Sequence, residues 1–450
     1  MPLSVAELQP ALYDLFHGTA DDLARAARFT RRARKLTGPA FAQALVFAFL
    51  EGPDATLDDF AELAADALGL EVTPQAFDKR FTPQAADFLH GLFLEAFNRS
   101  FNSLRPALLP LLRRFTGVSL RDATLVGLPP CLAGAFPGRG GRHAPHGRAA
   151  AAKLVFEAEV TAGALTEVSL LAGRDNERTA EVAGKPLPEG ALPLEDLGFF
   201  SGERLQAYAD QGVYVLTRIP AWTAVFDEGG RRLDLVARLR RARGDCLELP
   251  VRILHGRQLR LRLLAVRLPE AEAQQRRQRV RREAQQRGRA VSRKKLDLCD
   301  WNVLVTNAPA CLLGPEEACV VRRVRWQVEL VFKVLKSEGK IDQTRSRCPC
   351  RVLCELSAKL LAMVVQHWAL LAAGYQMLKH SARRAARRVR KRAVRLLRAL
   401  GCREALGREV AGLAAVLHRR CRVVRRKADP STLDRLSALD PEFDQPRQAA

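Results

Sequence analysis

Three carboxylates, far apart in a strongly basic chain, are the side chains best suited to chemistry. Asp122, Asp196 and Glu329 each lie at the end of a strand-like run or on an amphipathic helical segment. The 450 residues include 73 Lys and Arg against 49 Asp and Glu, which gives a formal charge of +24. Mg2+ prefers carboxylate oxygen as its ligand and needs no His or Cys. Carboxylates that converge in such a basic chain predict magnesium ions acting on a phosphate backbone, with two ions about 3.5–4 Å apart activating the nucleophile and stabilising the leaving oxygen.

The excess of cations predicts a polyanionic partner. A generally basic proteome or an anionic membrane surface would explain the same excess, but the basic residues cluster within segments, which favours DNA or RNA. No apolar stretch reaches the roughly 20 residues of a membrane-spanning helix, and the first residues lack the layout of a secretory signal. The ten Cys follow no repeating frame, as in reduced thiols of a cytosol. We therefore expect a cytoplasmic protein without a membrane partner.

The segment from Val321 to Lys336 predicts one helix with two distinct faces. Its apolar face would consist of Val321, Val324, Val328, Val331 and Leu335. Its other face would carry a line of cations around one carboxylate, namely Arg322, Arg325, Glu329, Lys333 and Lys336. Ion pairs that serve only solubility would give the same stripe. The combination with Asp122 and Asp196 favours a site in which the cations hold DNA phosphates.

Residues 1 to about 115 have the pattern of a helical domain. Helix starts are predicted at Thr56, Thr73-Pro74 and Thr82-Pro83, and a helix end at Gly69. Two short helices joined by a tight turn resemble a helix-turn-helix, in which Lys79 and Arg80, beside Gln75 and Asp78, would face a DNA groove. A small helical bundle without DNA contact explains the pattern equally well.

From Leu120 the pattern changes to strands. Strands are predicted in Leu120 to Leu128, in a hairpin from Leu154 to Leu171, in Leu192 to Leu194, in Gly212 to Ile219 and in Trp301 to Thr306. Residues 220 to about 301 form a β-rich insertion, with a turn at His255-Gly256 and a basic, helical run from Arg276 to Lys295. A basic loop is predicted from Gly138 to Arg148, and an Arg-dense helical tail from Arg383 to Arg426. The tail would bind a polyanion, or would simply be a solvated charged face.

Three sequence blocks resemble the DDE transposases of bacterial insertion sequences, specifically the insertion-sequence-four family with its YREK signature. The blocks are Asp122-Ala-Thr-Leu-Val-Gly-Leu-Pro129, Asp196-Leu-Gly-Phe-Phe200 and Arg325-Trp-Gln-Val-Glu-Leu-Val-Phe-Lys-Val-Leu-Lys336. Supporting similarities are Leu216-Thr217-Arg218 and Val305-Thr306-Asn307. The resemblance runs to about residue 375. It departs from the signature at Arg322, where the family has Tyr.

The resemblance implies an α/β fold with a ribonuclease-H-like mixed sheet flanked by helices. The expected domains are a helical DNA-binding domain at 1–115, a first part of the catalytic core at 116–219, the β-rich insertion at 220–301, a second core part at 302–375, and the basic helical tail at 376–450. Trp222 and Trp301 are candidates for the Trp that receives an everted base in such enzymes, although Trp301 fits a strand anchor better.

The implied activity is cutting of DNA at the ends of the element, followed by 3′-hydroxyl attack on target DNA. Asp122, Asp196 and Glu329 would hold Mg2+, with Mn2+ as a substitute. Arg325 and Lys336 would contact phosphate near the transposon end, and we expect Arg322, Lys333, Lys79 and Arg80 to bind DNA as well. The partner is double-stranded DNA, bound by a homodimer and associated with a bacterial nucleoid. Two alternatives remain open: a transposase-derived DNA-binding protein or repressor without catalysis, and a stand-alone metal-dependent nuclease.

Overall fold

The computed structural model describes residues 2–30, 35–99, 101–104, 106, 109–138, 150–175, 186–220, 223–253, 259–423 and 430–439. Apart from Gly138, the predicted basic loop lies outside these residues, as do Trp222 and the turn at His255-Gly256. The chain divides into two compact units. The first unit comprises Met1–Ala107, Asp122–Asn176 and Gln327–Arg426, and the second comprises Leu108–Arg121, Glu177–Trp326 and Lys427–Ala450.

The first unit begins with helices, and the predicted helix starts are confirmed. Thr56 and Asp59 form a reciprocal capping box, since each side chain accepts a hydrogen bond from the backbone N–H of the other. Gly69 ends that helix with a φ of 64°, a left-handed conformation that favours glycine. The helices are α1 Val5–Asp14, α2 Ala20–Ala26, α3 Gly38–Glu51, α4 Leu57–Leu68, α5 Pro74–Asp78 and α6 Pro83–Asn98, and a short parallel pair joins β1 Pro2–Leu3 to β2 Asn102–Ser103.

A mixed sheet of four strands lies at the predicted positions. It consists of β3 Val118–Leu128, β4 Ala150–Glu159, β5 Ala164–Ala172 and β6 Leu192–Glu195, in the order β5-β4-β3-β6. The hairpin of β4 and β5 is antiparallel and turns at Gly163, whose φ of 67° favours glycine. The first residues of β3 pair in parallel with β6. Parallel and antiparallel neighbours within one sheet, together with many helices, make the chain a mixed α/β protein.

The second unit contains a five-stranded antiparallel sheet in the order β7-β11-β10-β9-β8. Its strands are β7 Leu216–Thr217, β8 Val225–Phe226, β9 Cys246–Ile253, β10 Leu259–Arg267 and β11 Trp301–Thr306, and its helices include α7 Pro110–Arg113, α8 Gly202–Asp210, α9 Leu235–Arg241, α10 Glu270–Gln286 and α11 Arg293–Asp297. The predicted strand from Gly212 to Ile219 is shorter than expected. The predicted basic helical run forms two helices, because Gly288 adopts a φ of 61° between them.

The predicted helix from Val321 to Lys336 is also two helices. They are α12 Pro315–Val324 and α13 Trp326–Ser337, which adjoin at Arg325. The apolar stripe is confirmed at Val321, Val324, Val328 and Leu335, all of which are buried. The periodicity continues across the boundary, so the sequence pattern alone does not reveal the break.

The Arg-dense segment after residue 376 is packed into the first unit and is not a simple extension. It forms α15 Ala382–Arg390, α16 Ala393–Ala399 and α17 Arg403–Arg420. A further short helix, α18 Thr432–Ala438, belongs to the second unit. Helix α17 buries Leu406, Val410, Leu413 and Leu417. The many arginines of this segment make its apolar periodicity hard to recognise in the sequence.

Three arginines of α15 surround one buried acid. Arg383 Nε lies 2.7 Å from Glu338 Oε1, and Arg387 Nε lies 3.2 Å from the same oxygen. Arg390 Nη2 donates a 2.8 Å hydrogen bond to the Glu338 carbonyl oxygen. Burial raises the pKa of Glu338, but the arginines lower it more, so the net shift is downward. These charges therefore serve packing within the first unit.

One helix, α14 Pro349–Ala372, is long and apolar enough to cross a membrane by length and composition, contrary to the expectation from the sequence. However, 78% of its most apolar window is buried, and it packs against α3, α6 and α17 of the same unit. Such burial is typical of the central helix of a folded core.

Candidate functional site

Asp196 lies directly after the buried strand β6. Leu192 and Leu194 are fully buried, which anchors the strand. Asp196 has an extended backbone conformation and precedes a single 3-10 turn, Leu197–Phe199. Its side chain is 51% exposed. The carboxylate is thus presented to solvent from a rigid strand end, as a metal ligand or a phosphate-facing group requires.

The residue before Asp196 is fixed by a buried ion pair that the sequence analysis missed. Arg204 of α8 donates from Nη2 to Glu195 Oε1 at 2.7 Å and from Nε to Oε2 at 3.0 Å. The Tyr208 hydroxyl donates to Glu195 Oε1 at 3.0 Å. Burial lowers the pKa of Arg204, but Glu195 and Tyr208 raise it more; burial and Glu195 together raise the pKa of Tyr208. The network holds the end of β6, and only its proximity to Asp196 in the chain would have drawn attention to it.

Arg322 is buried, although the sequence places it on the cationic stripe. Its side chain is 8% exposed, and its Nη2 donates a 2.8 Å hydrogen bond to the Glu195 carbonyl oxygen. The same nitrogen lies 3.9 Å from Asp196 Oδ1. Arg322 therefore ties α12 to the end of β6, and its charge faces the Asp196 carboxylate.

A cavity of about 510 Å³ in the second unit contains Asp196 and is strongly basic. Two carboxylates, Asp196 and Glu272, face a larger set of arginines: Arg218, Arg267, Arg276, Arg322, Arg323, Arg325 and Arg435. These arginines come from several distant segments of the unit, including β10, α10, α12 and α18. Their number leaves a surplus of positive charge beside a single exposed acid.

Two arginines of this cavity have lowered pKa values. Loss of water around the guanidinium lowers the pKa of Arg218, and Arg276 and Arg325 lower it further against the opposing effect of Asp196. Burial likewise lowers the pKa of Arg276 against the opposing effect of Glu272, and Arg323 makes a smaller downward contribution. Cations that repel one another in a partly dehydrated space would gain from a bound anion. The cavity is therefore suited to phosphate.

The other two predicted acids are half-buried and lie in the first unit. The Asp122 carboxylate accepts a 2.8 Å hydrogen bond from the backbone N–H of Ala123, on β3. Glu329 lies in the first turn of α13, where Lys333 is exposed and Lys336 is half-buried. Across the described ranges, no group of three or more His, Cys, Asp and Glu side chains is arranged to hold a metal ion. Because Asp196 belongs to the second unit, the convergence of all three acids stays a prediction.

The predicted DNA-facing residues of α5 differ from each other in environment. Lys79 is exposed, but the guanidinium carbon of Arg80 lies 3.7 Å from the centre of the Phe29 ring. Asp78 Oδ1 lies 3.4 Å from Arg351 Nη1. Helix α5 has five residues, so only one short turn would present these side chains to DNA.

Trp301 is buried, with 4% of its surface exposed. The guanidinium carbon of Arg267 lies 4.4 Å from the centre of its ring. Trp301 lines a second cavity, of about 650 Å³, which shares Arg218, Arg276 and Asn302 with the first. The described residues thus place Trp301 in a sheet core, as a strand anchor would be.

A family model described as "Transposase DDE domain" matches residues 113–365, which is more than half of the chain. The matched residues include Asp122, Asp196, Glu329 and the arginines of α12. They do not include α15–α18.

Named relatives match most of the chain at low identity. The transposase for insertion sequence element IS231F of Bacillus thuringiensis subsp. israelensis is 27% identical over 387 residues, covering 81% of this chain and 80% of the relative. The transposase for element IS231D of Bacillus thuringiensis subsp. finitimus is 26% identical, with the same coverage. The transposase for element IS1151 of Clostridium perfringens is 23% identical, covering 76% of each chain.

Proposed function

Because this chain belongs to the family of DDE-domain transposases, we propose that it binds the terminal inverted repeats of an insertion sequence, cleaves DNA there and joins the 3′ ends to target DNA. The observation that carries the proposal is the register of the parallel pair β3–β6. Its last pair is Arg121 with Glu195, and the next residues in the chain are Asp122 and Asp196. In parallel strands, residues that follow a paired position continue toward the same end of the sheet.

The proposed metal ligands are Asp122, Asp196 and Glu329. All three offer carboxylate oxygen, and each is exposed or half-buried, which suits a hard divalent cation that keeps part of its water. When bound, Mg2+ would supply Lewis-acid stabilisation of charge on the phosphate oxygens, with Mn2+ as a substitute. The Glu195–Arg204–Tyr208 network and the Arg322 hydrogen bond would keep Asp196 in place throughout the reaction.

The arginines of the cavity would hold the DNA backbone. Arg218, Arg276 and Arg325 line the same cavity as Asp196, so that a phosphodiester would be drawn to the acid that acts on it. Such contacts position the DNA without selecting its sequence. Lys333, Lys336 and Lys79 are further candidates at the DNA surface. Arg322 and Arg80 would act mainly through packing, since their guanidinium groups are engaged by protein atoms.

The proposal also includes a ribonuclease-H-like core with the domain boundaries given above. It further includes a homodimer on DNA and association with the nucleoid in a bacterial cytoplasm. They rest on the family and on the mixed sheet. Holding two element ends at once is the physical reason to expect two copies of the chain.

The test uses duplex DNA from the flanks of the gene, with Mg2+ and the full chain. We expect cleavage at the repeat ends and, with added target duplex, a joined product. Glu329→Gln and Asp196→Asn should abolish cleavage while DNA binding persists, because each removes only a charged ligand. Cleavage by Glu329→Gln at the wild-type rate would exclude Glu329 from the site. Cleavage without any joined product would favour a stand-alone nuclease.

A further inference from the structure

The last described helix, α18, contributes to the basic cavity although it lies far beyond residues 113–365 that match the family model. It begins with a capping box between Ser431 and Asp434. It buries Leu436, which is 1% exposed, and packs against α12 within the second unit. Thr432 and Arg435 line the cavity that contains Asp196. Helix α18 thus packs through an apolar side chain, and its one cation, Arg435, lines the cavity.

Arg435 adds a cation where cations are already in excess. Arg218 and Arg276 of the same cavity have pKa values lowered by burial and by neighbouring arginines. The Nε of Arg435 donates to the Pro430 carbonyl oxygen at 3.4 Å, a long hydrogen bond within its own segment. Arg435 therefore belongs to a set of cavity-lining cations that a bound anion would neutralise.

We propose that α18 forms one wall of the DNA-binding cavity and that Arg435 contacts a backbone phosphate of the DNA strand held beside Asp196. The inference deepens the proposed function and rests on it. A phosphate is the expected partner because, among the described residues, the cavity presents guanidinium groups from several elements but only two carboxylates. Guanidinium groups bind phosphate oxygens with paired, charge-assisted hydrogen bonds.

An autoinhibitory plug is the opposing interpretation of a helix at a cavity. A plug that imitates DNA would place acidic side chains among the arginines. The two residues by which α18 lines the cavity are Thr432 and Arg435, neither of which is anionic. The one charged side chain by which α18 lines the cavity, Arg435, therefore adds to the attraction for DNA.

The experiment compares Arg435→Gln, Arg435→Lys and the control Arg279→Gln in the full chain. Arg279 lies on α10 outside the cavity, with 81% of its side chain exposed and a Glu283 partner on the same helix. The probe is a duplex oligonucleotide carrying the flanking repeat, and affinity is measured at several salt concentrations. We expect Arg435→Gln to bind roughly three- to tenfold more weakly and to lower the salt slope by about 0.9, the value for one phosphate contact. Arg435→Lys should restore most of the affinity.

Each other outcome overturns the inference. Equal affinities for Arg435→Gln and Arg279→Gln would mean that Arg435 contacts no phosphate. An equal loss in Arg435→Lys and Arg435→Gln would indicate a structural role, which a thermal unfolding curve would show directly. Tighter binding by Arg435→Gln would make α18 an inhibitor. If the wild-type chain shows no salt-dependent DNA binding at all, the proposed function fails together with the inference.

Discussion

The guanidinium of Arg322 donates a 2.8 Å hydrogen bond to the backbone carbonyl of Glu195, the residue that precedes Asp196. This contact joins helix α12 to the end of strand β6, so the helix and the acid cannot move independently without losing it. The YREK signature, which the sequence around Arg325 resembles, would have Tyr at this position. The chain thus uses a longer, charged side chain to hold the strand end.

Replacing Arg322 should cost stability and cleavage together. Arg322→Ala leaves the Glu195 carbonyl without this donor, so we expect the free energy of unfolding to fall by about 1–3 kcal/mol. Cleavage should also slow, because the strand end that carries Asp196 loses its hydrogen bond to Arg322. Urea titration and a single-turnover cleavage assay measure the two effects. Arg323→Ala, an exposed neighbour on the same helix, is the matched control for the unfolding measurement only, since Arg323 also lines the cavity. An equal stability loss in that control would contradict the assigned role.

The pair of Arg204 and Glu195 offers a test of buried electrostatics. Both side chains are about one-tenth exposed, so removing either partner leaves a poorly solvated charge. We expect Arg204→Ala or Glu195→Ala to lower the free energy of unfolding by about 3–5 kcal/mol, and the double variant to lose clearly less than the sum. A double-mutant cycle by denaturant unfolding measures the coupling. Additive losses would show that the two side chains act independently.

DNA affinity should depend steeply on salt, and two arginines of the cavity should contribute to that dependence. Arg218→Gln and Arg276→Gln each remove a cation from the cavity, so we expect weaker binding and a salt slope lowered by about 0.9 per lost phosphate contact. Fluorescence anisotropy with a labelled duplex at several salt concentrations gives the slope. Arg281→Gln, exposed on the same helix as Arg276, serves as control. A flat salt response of the wild-type chain would reject the nucleic-acid hypothesis.

His367 should make stability fall at mildly acidic pH. Burial lowers the pKa of His367 from 6.5 to about 4 in the folded chain. Between pH 6.5 and 4, the imidazole therefore binds a proton in the unfolded chain but stays neutral in the folded chain. The free energy of unfolding keeps its full value above pH 6.5 and declines as the pH falls toward 4. The loss attributable to His367 approaches about 3 kcal/mol. The difference in unfolding free energy between wild type and His367→Gln, measured from pH 7.5 to 4, isolates it, and a pH-independent difference would contradict the assignment.

Local signals in the sequence predicted individual elements well. The alternating run Trp301–Thr306 is a strand with the expected bounds, and the capping box at Thr56 and the left-handed Gly69 delimit α4. In each case, the deciding interactions lie within a few residues of one another. The periodicity of the side chains and the local backbone preferences are then sufficient to predict the element and its ends.

Long-range contacts explain what the sequence did not predict. Arg322 has the spacing of an exposed stripe, but a backbone carbonyl from residue 195 accepts its hydrogen bond and buries it. The cavity collects Arg218, Arg276 and Arg435 from distant segments, and no local pattern marks Arg435. Asp196 was predicted from its place after an apolar run, whereas its neighbours depend on the tertiary fold.

Helix α14 has a consequence for biosynthesis. Its apolar surface is covered by α3 and α6, which precede it in the chain, and by α17, which is translated only afterwards. A ribosome must therefore extend the nascent polypeptide by dozens of residues before that side of the helix is shielded. Chains truncated before α17 would expose the apolar surface of α14. Such an exposed surface would favour binding by chaperones or degradation.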